Sequence, residues 1–122
     1  MALFAESDRD TSSFPPFVLA DMRGDSGKIV LVLPDDAFPD LTEMGYPATG
    51  HGLRGLYIAA RVDAGLEGAP ESIVFETEFD QCFALFSRED DAETTAQLAS
   101  AAFHDPVKLK RLAQLSLAND LY

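Results

Sequence analysis

The stretch SIVFETEFDQCFALFS, residues 72–87, contains two apolar runs separated by a polar segment. Ile73–Glu76 and Cys82–Ser87 are rich in aromatic and aliphatic residues, which favours two short strands, and Thr77–Gln81 between them has to turn. The stretch therefore predicts a hairpin. Helical patterns precede and follow it in the sequence. The hairpin therefore indicates a domain that contains both strands and helices.

A first hairpin is predicted closer to the N-terminus. Phe17–Ala20 is a short apolar run after two prolines, and Lys28–Pro34, with the sequence KIVLVLP, is the clearest strand of the chain. The segment RGDSG over 23–27 supplies the Gly, Asp and Ser residues of a turn between them.

Three helices are predicted from apolar spacing and capping residues. The first covers roughly Gly52 to Ala64, with Arg54 and Arg61 off its apolar stripe of Leu53, Leu56, Tyr57 and Ala60. The second follows the acidic start REDD, and the third begins with Asp105 as N-cap and Pro106 at its first position. The buried stripe of the third is predicted to contain Val107, Leu109, Leu112, Ala113 and Leu115.

The predicted order is ββαββαα. Hairpins and helices without strict βαβ alternation indicate an α+β domain, with an antiparallel sheet of about four strands and helices on one face. A chain of 122 residues fits one domain, which we place at residues 14–122 after a loosely ordered segment over 1–13.

Charge restricts the classes of partner. The net charge is −12, and residues 62–105 hold eleven acids against one arginine, or −10 of that total. Such a surface repels nucleic acid and anionic membranes and attracts a basic protein. The single cysteine, Cys82, and the lack of a secretory or membrane-spanning pattern favour a soluble cytoplasmic protein. Monomer and homodimer both stay open, because the nine phenylalanines could form a core or a dimer interface.

The stretch GYPATGHG, residues 45–52, has the glycine spacing of a phosphate loop at Gly45 and Gly50. A functional loop needs Lys and then Ser or Thr after the second glycine, where this chain has His51 and Gly52. We therefore read the glycines as devices for turning into the first helix. Tyr46 either caps the core or is presented to a partner.

The sequence contains no recognisable catalytic or metal-binding motif. His51 and His104 are the only histidines, and neither stands in a nucleophile motif or at metal-ligand spacing. No catalytic residue, cofactor or metal is therefore predicted, and Cys82 is expected to pack as a small apolar residue. An enzyme using His51 with a carboxylate stays as an alternative hypothesis.

The hairpin tip is the best candidate for a binding surface, because Phe79 lies there among carboxylates. An aromatic side chain flanked by acids suits a basic protein partner. The residues predicted to bind a partner are Tyr46, His51, Glu76, Glu78, Phe79 and Asp80.

Taken in order, these features resemble the immunity protein 51 family of bacterial polymorphic toxin systems, over roughly residues 15 to 115. The family shows a Gly-Tyr pair, a spacer and a glycine entering a helix, matched by Gly45, Tyr46 and Gly50. It also shows a Phe-acid-x-Glu hairpin and a strand with Phe and a terminal Ser. Phe75, Glu76, Glu78, Phe83 and Ser87 match these positions. The chain departs from the family at the start of the first helix, where HGL stands in place of an aromatic-acid-Trp run.

The resemblance implies a cytoplasmic binding protein that neutralises a cognate, basic toxin without catalysis. The charge distribution agrees with that expectation. It agrees equally with a second hypothesis, an acidic mimic of nucleic acid that binds basic host proteins.

Overall fold

The computed structural model describes residues 9–34, 37 and 40–121. These residues form five strands, a short 3₁₀ turn at Thr42–Met44 and three α-helices. The strands are β1 (Arg9–Asp10), β2 (Val18–Met22), β3 (Lys28–Val32), β4 (Ile73–Thr77) and β5 (Cys82–Phe86). The helices are α1 (Gly50–Asp63), α2 (Glu89–Phe103) and α3 (Pro106–Ala118).

The five strands form one antiparallel sheet in the order β1-β2-β3-β5-β4. The prediction of an α+β fold with an antiparallel sheet and helices is thus confirmed, but the predicted four strands are one too few. The additional strand is β1, where Arg9 and Asp10 pair with Ala20 and Leu19. Two polar residues are too few to show the alternation of apolar and polar side chains that predicts a strand, so the sequence does not indicate β1. Residues 1–8, the rest of the segment before it, lie outside the described residues.

One face of the sheet, which we call the inner face, carries the core. Leu19, Leu31 and Ala84 on this face are fully buried, and Leu53 and Tyr57 of α1 and Ala96 of α2 pack against them. Helix α3 packs on α1 and α2, so a second apolar cluster lies between the helices. The molecule therefore has three layers: the sheet, then α1 with α2, then α3.

The predicted N-cap of α3 is confirmed, but its buried side was predicted incorrectly at one residue. Asp105 Oδ1 accepts hydrogen bonds from the backbone N–H groups of Val107 and Lys108, at 3.1 and 3.3 Å. Leu109 and Leu112 are buried as expected, whereas Val107 is 80% exposed. At about 100° per residue, Val107 points away from the side that Leu109 and Leu112 share.

Over residues 9–34, 37 and 40–121, none of the helices combines the length and the apolarity that crossing a lipid bilayer requires.

Candidate partner-binding site

The tip of the β4–β5 hairpin is a two-residue loop, Phe79–Asp80. It is closed by a hydrogen bond of 2.7 Å from the backbone N–H of Glu78 to the carbonyl oxygen of Gln81. The Phe79 side chain is 90% exposed, the highest value among the exposed large apolar residues described. A fully solvated phenylalanine gains nothing from burial in the free protein, so it is available to another molecule.

The tip packs directly against the start of α1. The backbone N–H of Gly50 donates a hydrogen bond of 3.1 Å to the carbonyl oxygen of Phe79. A Cβ atom at Gly50 would overlap the carbonyl oxygens of Glu78 and Gln81. Only glycine allows this approach, so the stretch over 45–52 and the hairpin tip form one structural unit.

Gln81 attaches the tip to the end of β3. Its side chain is only 7% exposed, and Nε2 donates a hydrogen bond of 2.6 Å to the carbonyl oxygen of Leu33. Its Oε1 accepts a hydrogen bond of 3.0 Å from the backbone N–H of Cys82. Sequence reasoning treated Gln81 only as part of a turn and missed this role. The available signal was a single amide residue immediately before an apolar strand.

A depression of about 350 Å³ lies between this tip and the end of β3. Val32, Pro34 and Phe83 provide apolar walls, and Glu78 and Asp80 border it with carboxylates. The depression therefore combines an apolar lining with negative charge. The sequence did not indicate it, because its residues come from two separate segments, the end of β3 and the β4–β5 hairpin.

Three carboxylates, those of Glu76, Glu78 and Asp80, stand exposed around the tip. Among the residues the structure describes, none of the three has an ion-pair partner within 4.0 Å. Glu76 lies on β4 opposite Phe83 of β5, on the sheet face away from the helices. These groups are free to pair with cations of a second molecule.

Tyr46 lies in the interior, 2% exposed. Its hydroxyl donates a hydrogen bond of 2.7 Å to the carbonyl oxygen of Gly52 and shares another, of 2.8 Å, with Ser116 Oγ. These bonds join the loop over 45–52 to α1 and α3. Of the two roles considered for Tyr46, the structure places it in the core, so the ring offers no surface to a partner.

His51 is exposed in the first turn of α1, next to Gly50 and hence beside the hairpin tip. The helix is capped by Thr49, whose Oγ1 accepts a hydrogen bond of 3.1 Å from the N–H of Gly52. Among the residues that the structure describes, the His51 ring forms no hydrogen bond and no ion pair. His104 is apart from this region, with Nδ1 2.8 Å from the carbonyl oxygen of Ser100.

Cys82 is fully buried, which confirms that it packs as a small apolar residue. Burial raises the pKa of its thiol to about 12, against a smaller lowering effect of Arg54. The thiol therefore stays protonated near neutral pH and is a poor nucleophile or metal ligand. Within the described ranges, no three His, Cys, Asp or Glu side chains come together in a way that could hold a metal ion.

The fold and this site describe a small α+β domain with an acidic, aromatic-tipped surface. Compared with models of known protein families, with curated proteins and with solved structures, the chain matches none of them. The resemblance to the immunity protein 51 family therefore stays a prediction.

Proposed function

We propose that this protein is an immunity-type inhibitor that binds and neutralises a cognate bacterial toxin through its acidic surface, without catalysis. The single observation that carries the proposal is the hairpin tip, where a 90% exposed Phe79 stands beside carboxylates that have no ion-pair partner among the described residues. An exposed aromatic ring supplies apolar contact area, and the surrounding charges select a basic partner.

The rigidity of the tip supports a binding role. The backbone N–H of Gly50 donates to the carbonyl oxygen of Phe79, and the Gln81 side chain donates to the carbonyl oxygen of Leu33 at the end of β3. Ordering a flexible side chain or loop during association costs about 0.5–1.5 kcal/mol for each mobile group. A tip already fixed in the free protein avoids part of that cost. This matters for an inhibitor of a lethal enzyme, which needs a Kd of about 1 nM or lower, about −12 kcal/mol.

Long-range electrostatics favours the same class of partner. The net charge of −12 attracts a basic protein, and the tip carries three of the eleven acids of residues 62–105 beside Phe79. Steering of this kind raises association rates and weakens as salt increases. The proposed site consists of His51, Glu76, Glu78, Phe79 and Asp80, and Tyr46, which is buried, is left out of it.

The direct test is co-expression with the product of the adjacent upstream gene. We expect that product to be toxic alone and harmless together with this protein, and the purified pair to bind with nanomolar affinity or better. A neighbour that is harmless alone, or that stays toxic in the presence of this protein, contradicts the proposal.

A triple variant tests the tip itself. Replacing Glu76 and Glu78 by Gln and Asp80 by Asn should weaken toxin binding by about 100-fold or more and flatten its salt dependence, because three charge-assisted contacts are lost. Unchanged affinity and salt dependence would remove the tip from the site.

The control carries the same change of charge elsewhere. Glu43, Glu67 and Glu93 are exposed and lie away from the tip in sequence, and their replacement by Gln also removes three charges. We expect at most about a threefold loss of affinity from this variant, through weaker steering alone. Equal losses in the two variants would indicate that only net charge matters. That result, together with capture of several unrelated basic proteins at physiological salt, would favour the nucleic-acid mimic.

A further inference from the structure

The sheet has a second face, which we call the outer face, on the side away from α1 and α2. Seven of its members are aliphatic or aromatic and alternate with the buried residues of the inner face along each strand: Val18, Ala20, Val30, Val32, Val74, Phe83 and Leu85. Arg9, Met22, Lys28 and Glu76 also lie on this face. All seven are half-buried or exposed, and none belongs to either buried cluster. The sheet residues that cluster with α1 and α2 are those of the inner face.

The apolar character of the outer face is continuous across four strands. Ala20 pairs with Val30, Val30 with Leu85, and Leu85 with Val74, so these four form one unbroken cross-strand row. With strands about 4.8 Å apart, the row is about 14 Å long. Val74, at its end, is 44% exposed. A contiguous apolar row of this kind commonly marks an interaction surface.

The depression described above joins the outer face to the hairpin tip. Val32 and Phe83, which belong to the outer face, form part of its lining, and Glu78 and Asp80 of the tip form another part. A lysine or arginine fits such a cavity well, because its methylene stem packs on apolar walls while its charge reaches a carboxylate.

Area and charge distinguish between the possible occupants of the outer face. Four strands of five residues cover an area of roughly 300 Å² in the plane of the sheet. A stable complex buries about 800 Å² of surface on each partner. Two copies stacked face to face would therefore cover too little, and each would bring a charge of −12 and an acidic tip. A basic protein instead gains from contacting the face and the tip together.

We propose that the outer face and the hairpin tip form one continuous docking surface for a protein with an apolar patch fringed by Lys and Arg, one of whose basic side chains enters the depression. This inference rests on the proposed function and adds to it the chemistry of the toxin's contact surface.

A matched pair of valine variants tests the outer face. Val74→Gln changes an exposed residue of the outer face, and Val107→Gln makes the same neutral change at an exposed residue of α3. We expect Val74→Gln to weaken binding of the upstream gene product by about 10-fold or more and Val107→Gln by less than about twofold, measured by calorimetry. If Val74→Gln fails to fold by circular dichroism, Val74→Thr, which keeps the shape and strand propensity of valine, takes its place with an expected loss of at least about threefold.

If the complex forms with wild-type affinity in both valine variants, the proposed function stands and this inference is overturned. If the upstream product does not bind at all, the proposed function fails, and titration with arginine amide decides the inference separately. Amide NMR shifts confined to the residues that line the depression, with lysine amide acting similarly and glutamate amide not, would support it. Shifts absent or scattered over the surface would overturn it.

Two other occupants give distinct results. A dimer in sedimentation experiments that Val74→Gln dissociates would assign the outer face to a second copy. A gain in affinity of about 10-fold on removal of residues 1–8 would assign it to the chain's own N-terminal segment. Either result would overturn the inference.

Discussion

Two buried tyrosines, Tyr46 and Tyr57, should respond in opposite directions to loss of the same atom. Each is at most 2% exposed, and replacement by phenylalanine removes only the hydroxyl. The Tyr46 hydroxyl makes hydrogen bonds of 2.7 and 2.8 Å to Gly52 and Ser116. The Tyr57 hydroxyl is buried with no hydrogen-bond partner among the described residues.

The magnitudes follow from ordinary hydrogen-bond energetics. Two lost bonds at about 1 kcal/mol each make Tyr46→Phe destabilising by about 2 kcal/mol. An unpaired buried hydroxyl costs about 1–3 kcal/mol, so Tyr57→Phe should stabilise by about 1 kcal/mol. For 122 residues the unfolding entropy converts 1 kcal/mol into about 4 °C of Tm. We therefore expect a fall of about 8 °C for Tyr46→Phe and a rise of about 4 °C for Tyr57→Phe.

Thermal unfolding followed by circular dichroism measures both shifts. The double variant Tyr46→Phe with Ser116→Ala should lose less than the sum of the single losses, because both variants remove the same bond. A Tyr57→Phe variant that loses as much stability as Tyr46→Phe would refute the reasoning, since it would mean that the Tyr57 hydroxyl has a favourable partner.

Three further changes have defined outcomes. Gly50→Ala should cost about 2 kcal/mol in chemical unfolding because its Cβ would overlap backbone of the hairpin tip, whereas Gly24→Ala, with open space around it, should stay within about 0.5 kcal/mol. Asp105→Ala removes the side-chain cap of α3 and should lower Tm by about 4 °C, from about 1 kcal/mol; no shift would mean that the cap is dispensable. Hydrogen bonds from Arg23 lower the pKa of Asp21 to about 2, so its ionised form stabilises the fold above the unfolded value of 3.8, and that contribution is lost as pH falls through 2. Tm measured between pH 5 and pH 2 should therefore decline less steeply in Asp21→Asn than in the wild type, and identical slopes would contradict this.

Local signals predicted most of the fold. Four of the five strands and all three helices follow from apolar runs, turn residues and caps, because these features act over a few residues. The layer in which a side chain lies depends on tertiary packing, so the sequence predicted it less well. Arg61 was placed off the apolar stripe of α1, yet it is 5% exposed and donates to the carbonyl of Glu67 and to Thr95 Oγ1. Arg61 is covered by α2 and by the segment that follows α1, and the pattern within α1 cannot indicate those neighbours.

The site was predictable only in part. The composition of the hairpin tip indicated Phe79 and its acids, but the contact between the tip and Gly50 joins segments almost thirty residues apart. The outer face could not be inferred either. In the run from Ile29 to Leu33 the residues of both sheet faces are aliphatic, and a continuous apolar strand commonly indicates burial on both sides. Only the placement of the helices distinguishes Val30 and Val32 from Leu31.

The two edges of the sheet also determine how the protein tolerates high concentration. One edge is β1, only two residues long, and the backbone N–H groups of Ser12 and Ser13 turn back to Asp10 immediately after it. The opposite edge, β4, carries Glu76. Short or charged edges resist the strand-by-strand growth that leads to amyloid. An aliphatic sheet surface can therefore stay open to one specific partner without the chain polymerising through its backbone.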